Sequence, residues 1–403
     1  RWDRTRSRAF DSRESSVPET SVIKPDFEFK SQILNRGAHD LTSCYQCGTC
    51  SIVCPISNPE NPFPRKEMVW VQWGLTDLAM SNSSIWACHD CAICTAYCPR
   101  EAQPALVMAA LREYSIEHYA VPRFMGRMLG EAKFLPILFA IPALIFGAVL
   151  AGIGNLTALP DGAVVFSKFM PIVFVEVIFM AAIALSMTGA VAGGMRYWRA
   201  MNLRMAGNRG PVRLLPTLWT ILRHRKFRRC ADDLPGTRES PRTPFARTHL
   251  LAFYGFLGLV VTTTSVGIGI YAFGYLTPWP IWHPVKILGN LSGAAVIIAL
   301  LIFGYRRITA KTKAGESTYS DWLFLDILLL TTLTGFLAQG LRLVGVGGAI
   351  AYPTYFVHLM FVFFLLVYIP YSKFAHIVYR TVAMLYDAAS ENRESVPPPA
   401  QAA

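Results

Sequence analysis

The sequence predicts a mainly α-helical protein in two parts, a small cysteine-rich domain followed by a six-helix membrane bundle. Three observations predict it. Of 403 residues, 53% are hydrophobic and only 16% charged, with a mean hydropathy of +0.35. A typical soluble protein carries about 25% charged residues. Eight of the nine cysteines fall within residues 44–98, and six apolar segments after residue 133 are each long enough to cross a bilayer. A disordered chain and an ordinary soluble enzyme are both excluded.

Residues 1–40 read as a polar N-terminal arm. It opens without Met and with Arg1, Arg4, Arg6 and Arg8, which reads as a trimmed start without a signal peptide. Residues 41–115 form the cysteine-rich domain. Within it Met68, Val69, Val71, Trp73, Leu75 and Leu78 predict one buried helix over 65–80, after the turn signal Asn61-Pro62-Phe63-Pro64. Residues 110–133, with Arg112, Arg123, Arg127 and Lys133, look helical. Their end, 116–133, is expected to be an amphipathic linker on the membrane surface, or an ordinary surface helix.

The membrane part is expected over 134–380, with a tail over 381–403. Its spans are expected at 134–154, 170–193, 249–273, 285–305, 321–344 and 353–377. Each approaches the roughly 20 apolar residues a bilayer requires. The connection 195–248 holds 13 basic and 3 acidic residues, whereas 1–133 holds 15 of each. The connection 306–313 is also basic, and 155–169, 274–284 and 345–352 are nearly uncharged. The positive-inside rule then places the basic connections, both termini and the cysteine domain in the cytoplasm. Trp279, Trp282 and Tyr352 fall in or beside the outer connections, where interfacial aromatics belong.

The cysteines form two runs. Cys44, Cys47, Cys50 and Cys54-Pro55 repeat as Cys88, Cys91, Cys94 and Cys98-Pro99, each C-x2-C-x2-C-x3-C-P. This is the spacing of bacterial two-cluster [4Fe–4S] ferredoxins. Three thiolates in a tight loop wrap one cubane, and the fourth turns toward the other. One cluster is expected on Cys44, Cys47, Cys50 and Cys98, the other on Cys88, Cys91, Cys94 and Cys54. Zinc favours paired C-x2-C motifs, and disulfides are disfavoured in a cytoplasmic domain. His89 reads as a neighbour rather than a ligand, and Cys230 as a bystander thiol.

Four histidines fall in or near the membrane part: His249, His283, His358 and His376. His358 and His376 lie 18 residues apart in the expected sixth span. On one helix that is five turns, roughly 27 Å, so they would serve different haems near opposite surfaces. His249 and His376 are candidate ligands of a b-type haem at the cytoplasmic side, and His283 and His358 of a second at the outer side. Lys286, Asn290 and Arg342 could hold haem propionates or a quinone carbonyl, or be a polar helix end. Glu176 and Asp326 are membrane acids and so functional candidates.

Residues about 20–115 resemble the small iron–sulfur (C) component of heterodisulfide reductases, through Cys44–Pro55, Pro64-Arg65-Lys66, Trp73-Gly74-Leu75, Ile85-Trp86-Ala87-Cys88 and Cys98-Pro99. Residues 245–380 resemble the cytochrome b type membrane component of respiratory nitrate reductase and of heterodisulfide reductase (its E component), through His249, Phe253, Gly255 and the His358–His376 spacing. The nitrate reductase pattern has a second histidine ten residues after the first, where this chain has Leu259. The fusion resembles the C component of the quinone-interacting membrane-bound oxidoreductase complexes. That resemblance implies flavin-bearing A and B subunits, exchange with adenylylsulfate reductase, and menaquinone or its quinol as substrate.

The expected function is therefore electron transfer between membrane quinone, haem b, two [4Fe–4S] clusters and soluble flavoprotein partners. A heterodisulfide-reductase-like subunit using another membrane carrier is one alternative, and a non-redox anchor for a ferredoxin domain another. Of the formal net charge of +12, the 195–248 connection carries +10 (13 basic less 3 acidic), and the excess is not a nucleic-acid surface. Arg223 to Arg229 there read either as a docking surface for acidic partners or as a topology signal only.

Overall fold

The computed structural model describes residues 24–204, 212–224, 242–275, 277–309 and 317–394, and the elements among them are helical, with no strand. The cysteine domain comprises α1 (Phe27–Asn35), α2 (Thr49–Ile52), α3 (Arg65–Gln72), α4 (Thr76–Met80), α5 (Ser84–Ala87), α6 (Ile93–Ala96) and α7 (Pro104–Tyr119). Residues 27–35 of the expected arm are thus part of the domain. Asp26 caps α1 by accepting from the Phe29 N–H at 3.0 Å, and Phe29 and Ile33 are fully buried. α7 likewise runs through the expected boundary at 115.

The helix expected over 65–80 is two helices, and Gly74 is the reason. It has φ +67, and a Cβ there would lie 2.5 Å from the Asp26 carbonyl oxygen. The Asp26 N–H donates to the Gly74 carbonyl at 2.8 Å. The turn is therefore pinned by the chain entering α1, which apolar periodicity cannot show.

After α8 (Arg123–Gly130) come α9 (Leu135–Gly152), the short α10 (Phe166–Phe169), α11 (Ile172–Arg204) and α12 (Leu214–Leu222). Then follow α13 (Arg242–Phe273), α14 (Pro284–Thr309), α15 (Tyr319–Val344), α16 (Gly348–Val367) and α17 (Ala375–Glu394). Helices α9, α11, α13, α14, α15 and α16 are long and apolar enough to span a membrane, and at most 33% of any apolar window is buried inside the molecule. Their outward Val173, Val177, Met180, Leu257 and Leu301 form an apolar surface that water would not tolerate at this scale. The chain is a multi-pass membrane protein.

The sixth span ends at Val367, ten residues before the expected end at 377. A 3₁₀ turn over Ile369–Tyr371 and the new helix α17 follow. Pro370 lacks an N–H and its ring crowds the preceding turn, which favours a break in the apolar run here. His358 and His376 consequently lie on different helices, and the five-turn relation expected between them does not exist. The turn is tied down by Asp321, which pairs with Lys373 and, at 3.1 Å, with Arg307.

The two parts are not loosely tethered. Trp86, Tyr119, Tyr197, Met201, Tyr379 and Tyr386 belong to one hydrophobic core built from the cysteine domain, the end of α11 and α17. The Tyr197 hydroxyl donates to the Asn82 carbonyl at 2.8 Å and the Tyr371 hydroxyl to the Val121 carbonyl at 2.6 Å. Burying each large side chain stabilises by roughly 1.5–3 kcal/mol. Several at one seam hold the domain rigidly against the bundle.

Candidate functional site

The two cysteine runs fold alike. Gln46 and Gly48 in the first, and Asp90 and Ala92 in the second, occupy equivalent positions with left-handed backbone, at φ 60, 85, 55 and 57. These reversals curl each run around its thiols and turn N–H groups toward sulfur. The Asp90 N–H donates to Cys88 Sγ, the Ala102 N–H to Cys98 Sγ and the Gln46 side-chain amide to Cys44 Sγ, each at 3.4 Å. Such donors stabilise thiolate ligands and tune what they hold.

The runs exchange their last cysteines. Cys44, Cys47, Cys50 and Cys98 line one cavity together with Arg65 and Arg100. Cys54 and Cys94 are each within electrostatic reach of Cys88 and Cys91. Burial pushes both Cys50 and Cys54 up to about 11. Thr49 hydrogen bonding holds the exposed Cys47 below the usual thiol range. All eight are free thiols. Among the described residues no three His, Cys, Asp or Glu side chains converge as a single metal ion would require. A cubane is instead gripped at its corners by thiolates spread around it, so the donor sets fit two such clusters.

A second group of side chains gathers where α13 and α17 begin. The rings of His224 and His249 lie 5.6 Å apart, and His224, His376 and Arg380 are within electrostatic reach of His249. His376 Nδ1 bonds the Lys373 carbonyl. Burial pushes His376 down to about 4, so the ring is neutral, with Nε2 as its lone-pair nitrogen. A ligating histidine characteristically has its other nitrogen held this way. The expected pair His249 and His376 thus lies within electrostatic reach, two imidazoles of the donor type an iron would need. His224 was not expected here, because it sits in a basic connection with no pattern around it.

His358 lies within the bundle, its Nδ1 3.1 Å from both the Thr331 carbonyl and the Thr334 hydroxyl. Gly335 makes room for it, since a Cβ there would lie 3.0 Å from its Cε1. His283 is elsewhere: its ring packs on Trp279 at 4.4 Å and its Nδ1 accepts from the Val285 N–H at 3.3 Å. No described contact joins His283 to His358. The expected polar group is assembled, with one addition. Lys286 donates to Gln339 and Gln339 to Asn290, both at 3.0 Å, and Arg342 acts on Lys286. A glutamine inside an apolar helix was the available signal for Gln339. Glu176 is half-buried and Asp326 exposed on α15, neither making a described ion pair. Cys230 and Arg225 to Arg229 lie outside the described residues, while Arg223 stacks on Trp219 at 4.3 Å.

Comparison with known proteins agrees with this division. A family model described as 4Fe-4S dicluster domain matches residues 40–102, and one described as citrate utilization protein B matches residues 126–397. Citrate utilization protein B of Escherichia coli is 28% identical over 369 residues, covering 87% of this chain and 90% of that protein. A protein of Archaeoglobus profundus named as like the C component of heterodisulfide reductase is 36% identical over 86 residues, 21% of this chain and 46% of that protein. The E component of dihydromethanophenazine:CoB–CoM heterodisulfide reductase of Methanosarcina barkeri is 28% identical over 148 residues, 35% of this chain and 55% of that protein. The chain therefore spans about half the length of each heterodisulfide reductase relative and most of the length of the E. coli protein. The resemblance to a fusion of the C and E components is supported. No solved structure matches the chain. With two thirds of its length accounted for by one family model, the chain belongs to the citrate utilization protein B family.

Proposed function

We propose that this chain is the membrane electron-transfer subunit of a quinone-linked oxidoreductase complex. It would exchange electrons between membrane menaquinone or its quinol, a haem b on His249 and His376, two [4Fe–4S] clusters and a soluble flavoprotein partner. The single observation that carries this reading is the seam at α17. One helix begins with a candidate haem ligand and packs on the loop of a four-thiol set. When bound, haem and clusters would supply one-electron couples.

The chain's own residues hold and tune these groups. Left-handed loop positions aim the thiols, the Lys373 carbonyl sets the His376 tautomer, and the tyrosine-rich seam fixes the spacing. Lys286, Gln339, Asn290 and Arg342 are the candidate site for a quinone carbonyl or haem propionates at the outer end of the bundle. The positive-inside rule supports a cell-membrane location with the cluster domain on the cytoplasmic side. A second haem would rest on His358, with His283 or another side chain as its partner.

Flavin-bearing A and B subunits linked to adenylylsulfate reductase are the narrower version of the partnership. The relatives point more broadly. One is named for citrate utilization, and the other's name couples dihydromethanophenazine to a heterodisulfide, which supports the second reading of a different membrane carrier.

The test is reduction of the protein in vesicles by a short-chain menaquinol, followed by electron paramagnetic resonance. The expected result is cluster signals that depend on quinol and disappear in His249→Ala. Clusters that respond only to dithionite would refute the quinone link. Co-purifying subunits, identified by mass spectrometry, would decide between the narrower and broader partnerships.

A further inference from the structure

We infer that the two thiol sets have fixed places in the electron path. Cys54, Cys88, Cys91 and Cys94 hold the inner cluster, joined to the His376 helix by Arg380, and Cys44, Cys47, Cys50 and Cys98 hold the outer cluster that a soluble redox partner meets. This rests on the electron-transfer reading above and adds its direction in space.

The inner assignment comes from α17. His376 and Arg380 are four residues apart, so they share one helix face a single turn apart. The Arg380 guanidinium donates to the Cys88 carbonyl at 3.3 Å and to His89 Nδ1 at 2.7 Å. From the candidate haem ligand to a cluster ligand, the connection is therefore one helical turn and one hydrogen bond. Trp86, two residues before Cys88, stacks on Tyr379 at 5.3 Å, which seats the same loop on the same helix. On its other side Arg112 pairs with Asp90 at 2.9 Å. His89, a bystander by its spacing, is held in a defined tautomer with its Nδ1 as acceptor.

The outer assignment comes from exposure. Cys47 is exposed, and Tyr45 and Ile52 beside it are 70% and 85% exposed. Arg100 lies over the Tyr45 ring at 4.0 Å, and with Arg65 it lines the cavity of this set. No described ion pair neutralises Arg65 or Arg100. The cysteines of the second run are all half-buried.

Arg380 is a positioning residue: it touches the Cys88 peptide and the His89 ring, not the iron. A guanidinium there favours the reduced, more negative state of the inner cluster. Each transfer moves one electron between neighbouring centres and makes no bond. A quinol supplies two electrons and releases two protons, enough to reduce both clusters once.

The experiment is a redox titration of the full-length protein by electron paramagnetic resonance. Cluster signals are first assigned with Cys54→Ser and Cys98→Ser. Arg380→Gln should disfavour reduction of the inner cluster about tenfold, about 59 mV for one electron, and leave the outer cluster unchanged. Arg380→Lys should restore most of the shift. A soluble dysprosium chelate should speed relaxation of the outer cluster more than the inner. A shift confined to the outer cluster, no shift at all, or stronger chelate relaxation of the inner cluster would overturn the order. These readouts need no haem, so a failed haem reading, seen in the optical spectrum, is distinct from a failed ordering.

Discussion

Glu67 offers the sharpest test of the cysteine domain's energetics. It lies in α3 and is 0% exposed. One carboxylate oxygen accepts from the Asn82 amide at 2.6 Å and lies 3.6 Å from Lys66 Nζ; the other has no described partner. Burial raises its pKa from the ordinary 4.5 to about 7, against the opposing pull of Lys66. The folded state therefore holds this proton more tightly than the unfolded chain. The stabilisation is fully present below about 4.5 and is lost as pH rises through about 7. At 1.36 kcal/mol per pH unit the full loss is about 3 kcal/mol, most of it between pH 5 and pH 8. Glu67→Gln keeps the Asn82 acceptor and is neutral at every pH, as the protonated wild-type carboxyl is at pH 5. The two proteins should therefore be of similar stability at pH 5. Between pH 5 and pH 8 the variant's stability relative to wild type should improve by about 2–3 kcal/mol. The assay is thermal loss of cluster absorbance in detergent at both pH values. Parallel pH profiles for the two proteins would refute the reasoning.

Three further predictions follow from the same geometry. Cys54→Ala should remove the signal of the Cys88–Cys94 cluster and spare the other, as read by electron paramagnetic resonance; selective loss of the first cluster would break the crossed assignment. Gly74→Ala adds a Cβ 2.5 Å from the Asp26 carbonyl to a left-handed backbone, and should lower the melting point of cluster absorbance by a destabilisation of at least about 2 kcal/mol. With dithionite as reductant, His376→Ala should abolish a b-haem band and leave both cluster signals, and His249→Ala should do the same.

Much of the architecture was legible because its signals are local. Six apolar stretches of bilayer length, and four-cysteine runs ending in Pro, need no tertiary information to read. What escaped depended on distant contacts. The apolar run through Val367 to Tyr371 reads as one span, and only Pro370 marks its interruption. Gly74 breaks α3 from α4 because the chain at Asp26 packs against it. The placement of Phe29 and Ile33 in the core was hidden by the polar residues around them. At the site, His249 and His376 lie within electrostatic reach of each other, although His376 stands on a separate helix beyond the sixth span. His224 and Arg380 join them through contacts that no spacing encodes, with Arg380 reaching a loop almost 300 residues earlier in the chain. His283 packs on Trp279 at the start of α14, and no described contact joins it to His358.

The central claim is that the bundle carries haem between quinone and the clusters. The most direct measurement is the reduced-minus-oxidised optical spectrum of the purified protein, read beside that of His376→Ala. The account predicts a b-type haem α band in the first and its loss in the second, with iron–sulfur absorbance in both. A wild-type spectrum without that band, or a band untouched in the variant, would contradict it.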